Sequence, residues 1–96
     1  PATLAVGLAL LGGPALAAAP LAAQGCLGCH GPGGIGAPPI PPLAGRPAAE
    51  TVAAMAAFRA GTRPGTIMPR IARGYTEAEM AEVAAYFSAQ PAGGSR

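Results

Sequence analysis

Between Ala48 and Ala60, Val52, Met55 and Phe58 recur three residues apart, with alanine filling most of the intervening positions. That spacing gives a helix a single apolar stripe. Pro47 suits the first position of such a helix and Gly61 its end, so the pattern predicts a helix from Pro47 to Ala60. A second periodic stretch puts Met80, Val83, Ala84 and Phe87 on one face. It opens with Thr76-Glu77-Ala78-Glu79, the spacing of a capping box, and Pro91 stops it. A third, shorter helix is expected from Pro20 to Gln24, leading into Cys26. Two aperiodic stretches separate these elements. Gly31 to Pro47 is rich in glycine and proline, and Pro38-Pro39-Ile40-Pro41-Pro42 is too proline-dense for a helix or a central strand. Gly61 to Gly74 reads as a second loop. No segment alternates convincingly and no internal repeat is visible, so the expected fold class is all-α.

The N-terminal end follows a different pattern. Leu4-Ala5-Val6-Gly7-Leu8-Ala9-Leu10-Leu11 is continuously apolar, and Ala15-Leu16-Ala17 is a small-residue cleavage pattern. Together they read as the hydrophobic part of a secretory signal peptide, too short to span a bilayer comfortably. No basic segment or initiator Met precedes them, so residues 1–19 are expected to be a partial signal peptide, removed on export. An uncleaved membrane anchor is the competing reading. The expected organisation is then a signal at 1–19, one domain at 20–90 and a tail at 91–96. The mature chain would lack a membrane span and lie in the periplasm. Export also implies an oxidising compartment, where two cysteines can pair.

Composition sharpens the problem. Alanine (25), glycine (15) and proline (12) make up more than half of the 96 residues, and there are only four aromatics and no Trp. So small a domain with so little bulk needs a staple such as a metal, a disulfide or a cofactor. The glycine and proline content alone would suggest disorder unless something other than side chains fills the centre. Six arginines against four acidic residues, with no Lys, give a formal charge of +2, and every charge lies from Arg46 onward. A nucleic-acid binder needs a clustered basic face, which this weak and scattered excess does not supply. A large enzyme with its own substrate cleft is excluded by length.

Five residues carry the chemistry: Cys26-Leu27-Gly28-Cys29-His30. C-x-x-C-H is the attachment signature of c-type haem. Each thiol can add across one haem vinyl group, and the adjacent imidazole can then reach the iron as proximal ligand. A bound haem would also supply the missing core. A redox-active dithiol would expect a βαβ surround that the pattern lacks. Structural zinc wants four ligands, and Cys26, Cys29 and His30 are the whole soft and imidazole supply.

His30 is the only histidine, so a second imidazole cannot come from this chain. The remaining candidates for the sixth iron position are Met, Tyr or an open site. Met55 and Met80 fall on helical stripes, where packing is the ordinary role. Met68 stands in a loop, in Thr66-Ile67-Met68-Pro69, and is the expected axial ligand. A His/Met pair raises the reduction potential and leaves no site for oxygen or peroxide chemistry, which points to electron transfer rather than catalysis.

These residues resemble the class I cytochromes c over nearly all of the mature chain. The order of a short helix, C-x-x-C-H, a proline–leucine segment, a middle helix, a Met loop and an aromatic-bearing last helix matches part by part. The resemblance implies three to four short helices wrapped around one covalently attached haem. Pro41-Pro42-Leu43-Ala44-Gly45 is similar to the family's P-x-L-x-G stretch, which implies that Pro41 accepts the second ring N–H of His30 and that Leu43 belongs to the haem surroundings. Ala84-Ala85-Tyr86-Phe87 resembles the final helix that packs on the first. Ala22 departs from the pattern, standing where the family usually offers a large aromatic.

A narrower resemblance lies in residues 66–76, Thr-Ile-Met-Pro-Arg-Ile-Ala-Arg-Gly-Tyr-Thr, and in Ala57-Phe58-Arg59-Ala60-Gly61. Both look like the haem subunit of flavocytochrome c sulfide dehydrogenase, in its one-haem form. That family implies an FAD-containing flavoprotein partner that oxidises sulfide and passes electrons singly to the haem subunit. Other redox proteins would then be the acceptors. Arg59, Arg63, Arg70 and Arg73 bracket the Met loop, where one or two would neutralise haem propionates and others would guide docking, with Arg70 expected in the haem surroundings. Any one of them taken singly also reads as ordinary solvated surface. Tyr75 either bonds a propionate or packs against the ring. The competing functions are a free periplasmic carrier serving an oxidase or photosynthetic centre, and a ligand-sensing or peroxidatic haem protein with Met68 unbound.

Overall fold

A computed structural model describes residues 18–93, and the expected signal peptide falls almost wholly outside them. Among the described residues there are four α-helices, a single 3₁₀ turn and no strand. They are α1 (Leu21–His30), the turn at Pro32–Gly34, α2 (Ala48–Ala60), α3 (Met68–Ala72) and α4 (Glu77–Ser88). Among these residues the only pairing of extended backbone is an isolated bridge between Ala37 and Ile40 in the proline-rich loop.

The two periodic stretches fold as their patterns predict. Pro47 takes the N-cap of α2, one place before the position expected, and Gly61 closes the helix in the left-handed conformation at φ 80°. Thr76 and Glu79 form the reciprocal capping box of α4, with hydrogen bonds of 2.9 and 3.1 Å. On α2 the buried face is turned slightly from the expected stripe: Thr51 and Met55 are buried, while Val52 and Phe58 are half-buried.

Two elements differ from expectation. α1 does not stop at Gln24 but continues through the whole C-x-x-C-H motif to His30. Gly25 and Gly28 each disfavour a helix by about 1 kcal/mol relative to Ala, which is why the sequence argues for an earlier end. α3 lies inside the expected loop. Five residues are too few to display a period, and Pro69 falls in the first turn, where its missing N–H costs no helical bond. Ala72 of this short helix is wholly buried.

α4 is the centre of the fold, packed against both α1 and α2, and α2 also packs on α3. The core divides into two clusters. Ala23, Val83 and Phe87 form the first, and Met55, Ala72 and Met80 form the second. Tyr75 packs against both. The smallness of Ala22 and Ala23 lets α1 approach α4 closely. Gly34 does the same for the loop: at φ 76°, a Cβ there would sit 2.6 Å from Phe87. The segment after α4 folds back on the loop, where a Cβ on Gly45 would lie 3.3 Å from that of Ala92, and Gly93 rests beside Ile35.

Candidate haem site

The helical course of α1 explains the spacing of its motif. Residues three and four apart share one helix face, so Cys26, Cys29 and His30 are presented together. Both cysteines are free thiols; Cys29 is exposed and Cys26 half-buried. Burial pushes the Cys26 thiol above its ordinary pKa, and the Tyr75 hydroxyl beside it pulls it part of the way back. Tyr75 is itself raised, by burial first and then by the neighbouring Cys26.

His30 is 8% exposed, and its Nδ1–H donates to the carbonyl of Pro41 at 2.8 Å. A carbonyl can only accept, so the proton belongs on Nδ1 and Nε2 is left with its lone pair. The loop that delivers Pro41 is anchored on both sides. The N–H groups of Leu43 and Ala44 both reach the Gly34 carbonyl, at 2.7 and 3.0 Å, and Gly36 N–H reaches the His30 carbonyl at 2.6 Å. Leu43 is half-buried against the Ala23–Val83–Phe87 cluster.

Met68 is half-buried as the first residue of α3, at the edge of the cluster of Met55, Ala72 and Met80. It therefore opens a helix rather than lying in an irregular loop. Ile67 and Ile71, on either side, are 52% and 37% exposed, large apolar surfaces for so small a chain. Arg70 is exposed on α3, and no side-chain hydrogen bond or ion pair engages it among the described residues. Arg63 stacks over the Phe58 ring at 4.9 Å.

Tyr75 and Arg59 are more engaged than the sequence implied. Tyr75 donates its hydroxyl proton to the Ala22 carbonyl at 2.8 Å, which leaves none for a propionate. Arg59 donates to the Tyr75 carbonyl at 2.6 Å. These contacts join residues far apart in the chain, and no local pattern announces them.

The donor set suits a covalently held haem. It offers two unpaired thiols on one helix face, an imidazole oriented through its Nδ1, and a thioether at the start of another helix. Among the described residues no group of three or more His, Cys, Asp or Glu side chains converges to hold a bare metal ion.

Over residues 13–87 the sequence matches the family described as cytochrome c oxidase, cbb3-type, subunit III, and the chain belongs to that family of cytochrome c domains. It has the small class I cytochrome c fold and carries one covalently bound haem c. The relatives narrow the setting. Cytochrome c-552 of Acidithiobacillus ferridurans is 44% identical over 63 residues, which cover 66% of this chain and 27% of that protein. Cytochrome c-554(548) of Halomonas halodenitrificans is 38% identical over 69 residues, covering 68% of this chain and 83% of that one. The cytochrome subunit of sulfide dehydrogenase of Chlorobaculum tepidum is 39% identical over 62 residues, covering 65% and 56%. Among solved structures, cytochrome c4 of Acidithiobacillus ferrooxidans superposes with a TM-score of 0.64 at 44% identity, over 66% of this chain and 37% of that one.

Proposed function

We propose that this chain is an exported monohaem cytochrome whose haem is joined through thioether bonds to Cys26 and Cys29. Its iron would be held between Nε2 of His30 and the sulfur of Met68. The observation that carries this reading is the 2.8 Å bond from His30 Nδ1 to Pro41, which fixes the tautomer and the direction of the ring. Met68 is favoured on the other side because Met55 and Met80 are taken up by the core, at 6% and 1% exposure.

A bound haem supplies a one-electron change at its iron; the chain's residues set the terms. His30 is oriented by the Pro41 carbonyl, and a neutral Met68 sulfur on the iron would favour the ferrous state. Held by His30 and Met68 together, the iron would offer oxygen and peroxide no coordination site. Pro41 and Leu43 would neighbour the haem on the His30 side, with Arg70 and Tyr75 towards Met68. Arg70 would then balance a propionate, and Tyr75, its hydroxyl already engaged, would contribute its ring.

The donor on this reading is an FAD-containing sulfide dehydrogenase subunit, which takes two electrons from sulfide and hands them over singly. Support comes from the resemblance in residues 66–76 and from the Chlorobaculum tepidum relative. A periplasmic location follows from Leu4–Leu11 and the Ala15-Leu16-Ala17 site. A second reading, a free diffusible carrier donating to an oxidase or photosynthetic centre, draws on the 83% of cytochrome c-554(548) that the chain spans. Native purification followed by an absorbance scan separates the two. Co-elution of haem with flavin, and reduction of that haem by sulfide, is the expected result; a flavin-free haem peak of about 10 kDa, the size of one small domain, favours the free carrier.

A further inference from the structure

A line of polar contacts crosses the molecule between its two apolar clusters, and the ligand set does not account for it. Arg59, in the last turn of α2, donates from Nη1 to the backbone carbonyl of Tyr75 at 2.6 Å. Tyr75 in turn donates from Oη to the backbone carbonyl of Ala22, at 2.8 Å, in α1. One side chain from α2 is thus tied to the joint between α3 and α4, and that joint is tied to the helix bearing the haem-attachment motif.

Besides these contacts, the joint is held by the packing of Tyr75 against both apolar clusters. Within it, Gly74 N–H reaches Ile71 and Tyr75 N–H reaches Ala72, at 3.0 and 3.1 Å, but both bonds are local. α3 has only five residues, far below the length at which a helix is stable alone. It is pinned at its C-terminal end by buried Ala72, and Met68 stands at the other end. A tilt of the joint would act on α3 and, through it, on Met68 at its far end. The Arg59 bond is the strong member of the line, because a guanidinium donor makes a charge-assisted bond about twice as strong as a neutral one. Glu77, 3.8 Å from Arg59 and with a side chain 90% exposed, adds little.

We propose that Arg59 and Tyr75 are positioning residues for Met68: together they clamp the α3–α4 joint against α1 and so hold the thioether on the iron. The proposal rests on Met68 being the axial ligand. Neither residue is a thioether site or an iron ligand on this reading, so their loss would loosen the Met68 side while leaving the His30–Pro41 bond in place.

The test uses the holoprotein in four variants. Met68→Ala sets the limit of a lost ligand. Arg59→Met keeps the apolar stem but removes the donors, Tyr75→Phe removes only the hydroxyl, and Glu77→Gln leaves the carbonyl bond intact. Each is reduced and mixed with carbon monoxide, and its midpoint potential is measured. Arg59→Met is expected to bind carbon monoxide about ten-fold faster than the parent, the factor that about 1.4 kcal/mol represents. Its potential should move toward that of Met68→Ala. Tyr75→Phe should move the same way by less, and Glu77→Gln should match the parent. If Arg59→Met and Tyr75→Phe melt earlier but keep the parent's carbon monoxide response and potential, the clamp is structural only and the proposal fails. Should Arg59→Met fail to accumulate with haem, an unchanged response in Tyr75→Phe alone overturns it. If Met68→Ala itself leaves spectrum and potential unchanged, the axial assignment has failed instead, and that outcome is distinct.

Discussion

The three methionines of this chain have the same chemistry and different surroundings. Met80 is 1% exposed and Met55 6%, both in one cluster with Ala72, whereas Met68 stands at that cluster's edge. Substitution should separate them. Met80→Ala is expected to cost about 2–5 kcal/mol of stability as a core truncation, while leaving the reduction potential where it was. Met68→Ala should do the reverse, with a small change in melting but a potential lower by on the order of 0.1 V, well inside the range of roughly 0.8 V that axial ligands span. Thermal unfolding and a redox titration on the two variants check both halves. At this scale the sequence was most informative where chemistry is local. Cys26, Cys29 and His30 are legible because their spacing is the signature itself, and Pro41 because the P-x-L-x-G resemblance carries it. Arg59 and Tyr75 were legible only as generic neighbours of the haem. Their partners lie 16 and 53 residues away, and a hydrogen bond to a backbone carbonyl leaves no trace in residue type.

Helices with a period or a cap were read from the pattern alone; those without were not. Val52, Met55 and Phe58 announce α2, and Thr76 with Glu79 announces α4, because stripe and capping box are written in side chains. α1 was cut short at Gly25, since local propensity disfavours a helix that packing against Val83 and Phe87 sustains. α3 has one turn and no period to display. Two variants weigh the local devices. Thr76→Ala removes the cap of α4 and is expected to cost about 1 kcal/mol, a fall in melting temperature of about 4–8 °C for a domain of this size. Gly34→Ala is more severe, because the new methyl meets the Phe87 ring and the backbone is held at φ 76°. Left-handed backbone and overpacking together predict a loss of about 2–4 kcal/mol, read by thermal or denaturant unfolding.

As a whole, the molecule has little apolar bulk of its own. Phe87, Met80 and Val83 are its largest fully buried side chains, and the rest of the core is mostly alanine. Such a core cannot by itself offset the entropy of ordering some seventy residues at roughly 1–2 kcal/mol each for the backbone alone. The haem is therefore expected to be structural as well as electronic. A Cys26→Ala/Cys29→Ala double variant, which cannot attach it covalently, should lose the cooperative unfolding transition by circular dichroism. A sharp transition in that variant would mean that the helices support one another unaided.

The fold-back of residues 91–93 over Gly45 and Ile35 bears on how the protein can be wired to a conductor. That segment rests on the loop whose Pro41 carbonyl orients His30. A tether fixed beyond that segment would transmit tension into the His30–Pro41 bond and, on the proposed ligation, disturb the potential being measured. An anchor on the exposed face of α2, at Ala53 or Ala56, pulls on neither that loop nor the segment resting on it and is the better place to attach an electrode.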